Sequence, residues 1–300
     1  MFMKKNFEEE SLDKRYEDKV THDDPWQKLK AFTSARIALG RAGTSIPTQQ
    51  LLSFQLDHAR AIDAVHSALD VPTLLANFRD SAIINRHVSG KPIAVNSKAL
   101  DRFDYLQRPD KGRQLSESSW ETLRNYRSAT ETTYDLVIVV ADGLSATAVH
   151  RHAQPVIEGL LTLLGEDDLG WNVAPIIVVS QGRVAVGDDV AECLNASLVL
   201  TLLGERPGLT SPDSMGMYLT WEAQRGARDS SRNCVSNIRP GGLNYPEACQ
   251  KALYLMGEAR NLKLTGVNLK DRSSTLDSDV TLSQEKGASF LVTAPTSTQE

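Results

Sequence analysis

Three runs of consecutive apolar, largely β-branched residues stand out along the chain: 135–141 (DLVIVVA), 175–179 (PIIVV) and 197–203 (SLVLTLL). Uninterrupted apolar runs of this length suit strands buried on both faces, as in a parallel sheet covered by helices. Helical stretches lie between them, at 145–164, where Pro155 is expected to break or kink the helix, and at 187–194. A fourth strand is predicted at 215–221 (MGMYLTW) and a last helix at 246–258. Strand and helix alternating in this way predict an α/β fold: a Rossmann-like, doubly wound, mostly parallel sheet spanning residues 131–268.

The preceding stretch, 26–130, reads as helices and loops and is expected to form a smaller helical N-terminal domain. Within it, 48–69 (TQQLLSFQLDHARAIDAVHSAL) follows Ser45-Ile46-Pro47, a helix-start pattern. Leu51, Phe54, Ala61, Ile62 and Val65 recur at helical spacing and make one apolar face. His58 falls on that face and is expected to be a satisfied core or interface histidine. Thirteen of the first 25 residues are charged, too little apolar surface to offset the cost of ordering, so 1–25 is expected to be a flexible tail. Residues 269–300 are expected to be a second flexible tail, rich in Ser and Thr, with only 289–293 (SFLVT) strand-like. No internal repeat is evident.

Composition narrows the function more than it defines it. The 300 residues are 41% hydrophobic and 24% charged, with a net charge of -5, so nothing favours binding to nucleic acid or an acidic membrane. No apolar run approaches the length of a membrane span, and the charged N-terminus carries no apolar stretch of a secretory signal. Cys193, Cys234 and Cys249 are too far apart for a CxxC pair. Neither a disulfide framework nor a zinc site is expected, and the cysteine usage fits a reducing cytoplasm.

In an open α/β sheet, ligands bind outside the carboxyl ends of the strands. The first run leads into Asp142-Gly143-Leu144-Ser145, the second into Ser180-Gln181-Gly182-Arg183-Val184, the third into Gly204-Glu205-Arg206-Pro207-Gly208. Glycine, charge and hydroxyl thus collect on the rim where a ligand is expected. Ser145 either caps the next helix or helps face a ligand. Glu205 and Arg206 are either a structural ion pair or ligand contacts, a carboxylate there being able to accept hydrogen bonds from amide donors. Residues 233–242 (NCVSNIRPGG) read as a polar loop before the last helix, and no base is positioned to make Cys234 a nucleophile.

The chain has no GxGxxG after the first strand, no GxxxxGK[ST], and no GxSxG, HExxH or CxxC. Residues 85–90 (NRHVSG) approximate the DxHxxG pattern with which some cobalamin proteins replace the cofactor's own base by histidine. Asn85 stands where that pattern needs Asp to orient the ring.

Seven short segments, in order, carry a family resemblance: RIALGRAG (36–43), DHARAIDAV (57–65), YLQRPDKGR (105–113), ADGLS (141–145), GRV (182–184), GERPGL (204–209) and CVSNIRPGG (234–242). With them, residues from about 35 to 268 resemble ethanolamine ammonia-lyase light chains. The resemblance implies an adenosylcobalamin-dependent enzyme that converts ethanolamine to acetaldehyde and ammonia by a radical route. It implies that a large partner subunit holds the substrate and carries the chemistry. It implies that this chain closes over the corrin at the subunit interface, with dimethylbenzimidazole still on cobalt. Three positions carry over as cofactor contacts: Val184, Glu205 and Cys234. No residue of this chain is expected to be catalytic or to ligate metal. Delivery to a bacterial microcompartment, known in part of the family, has no support in the charged leader. Without the resemblance, the same pattern also fits a free-standing α/β protein for a nucleotide or phosphorylated ligand, or a structural partner that touches no cofactor.

Overall fold

The computed structural model describes residues 24–33, 35–167 and 169–272. The two expected tails fall almost wholly outside these residues, and the SFLVT run does so entirely. In chain order the main elements are α1 (Thr48–His66), α2 (Val71–Asp80), α3 (Ala82–His87), β1 (Ile93–Asn96), α4 (Arg102–Gln107), α5 (Glu117–Thr130), β2 (Tyr134–Ala141), α6 (Ala146–Glu166), β3 (Ile177–Ser180), α7 (Val186–Leu194), β4 (Ala196–Gly204), β5 (Met215–Trp221), β6 (Asn233–Ile238) and α8 (Tyr245–Leu262).

The fold is α/β with a six-stranded mixed sheet in the order β1-β3-β2-β4-β5-β6. The first four of these are parallel, with Val139 beside Ile177 and Leu136 beside Leu198. Strand β5 runs antiparallel to β4, and β6 antiparallel to β5. The three long apolar runs are thus the parallel heart of the sheet, as expected. Their side chains alternate between two cores. Leu136, Ile138 and Val140 pack with α2, α3, α6 and α8 on one face. Val137, Val139 and Ala141 pack with α5 and α7 on the other. A fully buried Leu, Ile or Val contributes about 1.5–3 kcal/mol relative to leaving it exposed, so both faces must be covered for such strands to be stable.

Two sequence readings are corrected. Residues 93–96, within the stretch read as helices and loops, form edge strand β1. Residues 233–238, read as a polar loop, form the opposite edge strand β6. An edge strand with one solvent face needs few apolar residues, and in β6 only Val235 and Ile238 are buried. The helix containing Pro155 is not broken there and runs from Ala146 to Glu166. Its flanking residues Val156, Ile157, Leu160 and Leu161 are buried in the core, which offsets one missing backbone donor.

Helix starts follow local chemistry. Ser145 accepts from Ala148 N at the head of α6, the capping role foreseen for it, and Asp101, Ser116 and Asn244 do the same for α4, α5 and α8. Helix α7 ends on Asn195 at φ 54°, the left-handed conformation that Asn tolerates. Helix α1 behaves differently. Of its 19 residues only Ala64 is buried, and Leu51, Leu52, Phe54, Leu56 and Ile62 are all exposed. Its apolar face exists as the sequence indicates, but among the described residues little covers it; Arg36 lies over the Phe54 ring at 4.6 Å and pairs with Asp57. His58 stacks on Phe54 on the same exposed helix. Among the described residues, no helix is long and apolar enough to cross a membrane.

The end of β4 is packed backbone to backbone. Leu144 N donates to Gly204 O at 2.9 Å. A Cβ on Gly204 would collide with the carbonyl oxygens of Ser145 and Asp142. Gly204→Ala is expected to lower the unfolding free energy by about 1–3 kcal/mol through overpacking, read from urea denaturation. An unchanged midpoint would show that the loop after β2 has slack that the packing does not suggest.

Candidate functional site

The carboxyl ends of β2, β3 and β4 lie side by side, so the loops after them share one rim. Asp142 ties the rim together. Its side chain has no exposure, Gly182 N donates to its Oδ1 at 3.0 Å, and Arg102 Nη1 donates to its Oδ2 at 3.2 Å. The same Arg102 atom also reaches Gly143 O at 2.8 Å, and Arg102 Nε donates to Val65 O at 2.7 Å. One guanidinium thus joins the end of α1, the start of α4 and the loop after β2. Burial pushes the Asp142 carboxyl up to about 6, against the opposing pull of Arg102 and of the Gly182 and Gln181 backbone amides.

Beside this knot is a cavity of about 650 Å³, lined on the β3 and β4 side by Arg183, Val184, Gly204, Glu205 and Arg206. Tyr105, Arg113, Tyr218, Asp229, Arg232 and Cys234 complete its polar wall. Val184, Glu205 and Cys234, singled out from three separate stretches of sequence, therefore line one cavity. Cys234 reaches it from β6, directly across from Tyr218 on β5. It is an exposed residue. Burial of the thiol beneath its neighbours nonetheless raises its pKa, the Tyr218 hydroxyl offsetting part of the rise and Glu205 adding to it. A thiol held neutral is a packing group and weak donor, not a nucleophile.

Glu205 sits at the head of a loop pinned at several points. Ser214 Oγ donates a short hydrogen bond to Glu205 Oε2, Asn237 N donates to the same oxygen at 3.2 Å, and Glu205 N donates to Ser214 O at 2.9 Å. Ser145 Oγ donates to Pro212 O at 2.8 Å, and Arg151 Nη1 pairs with Asp213 Oδ2 at 2.7 Å. A Cβ on Gly216 would press on Glu205 Oε1 at 2.9 Å, so this glycine leaves the room the carboxylate occupies. Glu205 and Arg206 are not an ion pair: the carboxylate takes hydroxyl and amide donors, and Arg206 is exposed without a carboxylate partner among the described residues.

Across the cavity, Arg232 holds Asp188 in a two-pronged pair at 2.5 and 2.6 Å, with side-chain exposures of 4% and 1%. Asp229 bridges Arg232 at 3.4 Å and Arg113 at 3.3 Å. The guanidinium carbons of Arg102 and Arg183 lie over the Tyr105 ring, 4.9 and 4.7 Å from its centre. Tyr105 and Arg113 belong to the YLQRPDKGR segment that the resemblance had marked without a role. Arg232, Asp229 and Tyr218 were missed. Their one signal was position, since Arg232 and Asp229 lie just upstream of Cys234 and Tyr218 within the predicted fourth strand. His87, of the NRHVSG stretch, lines none of this cavity and packs against Gly165 of α6.

Fold and site together define an α/β protein with an arginine-rich cavity at the strand ends and an apolar helix face exposed among the described residues. Comparison with known proteins makes this specific. The family model for the ethanolamine ammonia-lyase light chain (EutC) matches residues 23–270. The ethanolamine ammonia-lyase small subunit of Pseudomonas fluorescens strain Pf0-1 is 46% identical over 276 residues, covering 92% of this chain and 97% of the relative. The small subunit of Xanthomonas campestris pv. campestris strain B100 is 49% identical over 271 residues, covering 90% and 96%. The chain belongs to the ethanolamine ammonia-lyase light-chain family.

Asp142 makes the rim sensitive to pH in a defined direction. Its carboxyl binds a proton more tightly folded than unfolded. Its contribution to stability is therefore full below the ordinary value of 3.8 and lost as pH rises through about 6. Relative to Asp142→Asn, the wild type is expected to gain on the order of 2–3 kcal/mol of unfolding free energy between pH 7 and pH 4. Parallel urea titrations of both proteins across that range measure it. A constant difference would mean that Asp142 titrates normally.

Proposed function

We propose that this chain is the cofactor-holding small subunit of an adenosylcobalamin-dependent ethanolamine ammonia-lyase, gripping the edge of the corrin while a large subunit carries the substrate and the chemistry. The observation that carries the reading is the convergence of Val184, Glu205 and Cys234, from the ends of β3 and β4 and from edge strand β6, on one cavity. The Rossmann-like, doubly wound description of the sheet fits the same picture, with the ligand at the carboxyl rim.

The lining suits this ligand. A corrin bears amide side chains around its edge, and Glu205, kept in place by Ser214 and Asn237, can accept from amide N–H. Val184 offers an apolar contact beside it, and Cys234 a close-packing, uncharged one. A cavity of about 650 Å³ is of the size that encloses a drug-sized molecule. A complete cobalamin is larger, so part of it must project toward a second polypeptide. When bound, the cofactor supplies the radical by homolysis of its cobalt–carbon bond. This chain's residues hold and orient it and keep water from its edge.

The uncovered face of α1 supports the partner. Leu51, Leu52, Phe54, Leu56 and Ile62 form an apolar surface of the kind found at protein–protein interfaces, and Leu100 and Phe103 of the α4 region add to it. Arg102 lies between those last two and ties α1 to the rim. A large subunit seated on this face would lie next to the cavity.

The isolated chain is expected to form no acetaldehyde from ethanolamine, and the complex with its large subunit, supplied with adenosylcobalamin, to form it. Turnover by this chain alone would refute the division of labour. In the complex, Glu205→Ala is expected to weaken cobalamin binding by about 1–3 kcal/mol, the cost of removing a charge-assisted hydrogen bond. Equilibrium dialysis measures it, and an unchanged affinity would mean that the chain does not touch the cofactor there.

A further inference from the structure

The charges around the cavity do not balance within the chain. Four arginines line it, Arg113, Arg183, Arg206 and Arg232, facing the carboxylates of Glu205 and Asp229. Arg232 is matched by Asp188 behind it, and Arg113 by Asp229. Glu205 takes its hydrogen bonds from a hydroxyl and a backbone amide, not from a cation. Two guanidiniums are left, Arg183 and Arg206. Neither guanidinium has a hydrogen-bonded or carboxylate partner among the described residues, and that of Arg183 lies over the Tyr105 ring at 4.7 Å. Set against Glu205, they leave one positive charge over.

Arg183 gives the sharper indication. Its Nε is buried and unpartnered, and of the four buried side-chain atoms in that condition among the described residues it is the one whose residue lines the cavity. A buried guanidinium N–H without an acceptor costs free energy, and the fork of an arginine is shaped to take two oxygens of one anion. The loop is built to keep it in place. Arg183 N donates to Gly112 O at 2.7 Å, and a Cβ on Gly112 would press on both the Tyr105 ring and Arg183 Cγ. The Tyr105 ring, 4.7 Å from the guanidinium carbon, helps to hold the side chain in the cavity wall.

We propose that Arg183 and Arg206 form a seat for a singly charged phosphodiester. Resting on the cobalamin reading above, that diester is the one in the cofactor's nucleotide loop. Glu205 then serves the neutral amides at the corrin edge and the two arginines serve the one anionic group, so the cavity separates the two chemistries of the ligand. The surplus of a single positive charge suits the single negative charge of a diester.

The test compares cobalamin with cobinamide, the same corrin lacking the nucleotide loop and its phosphate, by equilibrium binding to the complex of this chain with its large subunit. For wild type, Arg183→Gln and Arg206→Gln, cobalamin affinity is expected to fall about tenfold for each substitution, and cobinamide affinity to change less than about twofold. Arg206→Glu is expected to lose more than Arg206→Gln, because the partner is a charge. Arg206 is exposed, so its variants report on binding even where Arg183→Gln disturbs Tyr105. Equal losses for both corrinoids, or none, would overturn the assignment while leaving the cofactor reading intact. If the wild-type complex binds neither corrinoid, the cofactor reading itself falls. The phosphodiester seat then stands only if dimethyl phosphate, a singly charged diester titrated as a second probe, binds wild type and is lost in the Arg183→Gln/Arg206→Gln double variant.

Discussion

Asp142 is buried at the carboxyl end of the central strand, and three separate parts of the chain meet on it. The loop after β3 donates through Gly182 N, α4 donates through Arg102, and the same Arg102 also holds the loop after β2 through Gly143 O. An ionised carboxylate with no exposure is expensive, and here burial outweighs its partners, raising its pKa to about 6. Such an arrangement is a poor source of stability. What it provides is position. With the strand ends 142, 182 and 204 locked by backbone contacts and one shared carboxylate, the side chains that follow them, Arg183, Val184 and Glu205, have little choice but to face a common space.

The same economy appears around the rest of the cavity. Asp188 and Arg232 neutralise each other in a nearly inaccessible pair, and Ser214 and Asn237 fix Glu205 from behind. Satisfied pairs thus form much of the wall, and Arg183 is the lining residue with a buried side-chain atom left unpartnered among the described residues. An unpartnered buried guanidinium atom is an unfavourable feature in an isolated chain. In the proposed complex the bound anion would answer it. The exposed apolar face of α1 follows the same logic for the proposed partner polypeptide, which would cover it.

How much of this the sequence reveals depends on the physics of each element. Strands β2, β3 and β4 are legible because burial on both faces leaves no polar position to interrupt the run, and their carboxyl ends then locate the rim without further information. Strand β1 is hidden because four residues (IAVN) are too few to show a period, and it exists only because β3 offers an edge. Strand β6 is hidden because its outward side chains, Cys234 and Ser236 among them, are those of a turn, and pairing with β5 is a long-range fact. That pairing brings Cys234 to the cavity, so its place there was legible only by family resemblance. The arginine surplus was equally invisible. Which arginines have partners depends on Asp188 and Asp229, and those partnerships form only on folding.

Charge bookkeeping of this kind can separate two roles that a list of lining residues merges. Glu205 and Arg206 are neighbours in sequence and look like a pair, yet Glu205 takes donors from Ser214 and Asn237 while Arg206 has no such partner among the described residues, and both line the same cavity. A ligand that offers only amide donors would leave Arg183 and Arg206 unanswered, and one that offers only phosphate would be repelled by Glu205. A molecule with neutral amides at one edge and a single phosphodiester on a flexible loop answers both. The requirement for both chemistries at once argues against a simple nucleotide as the occupant, and it does so from the side chains of this chain alone.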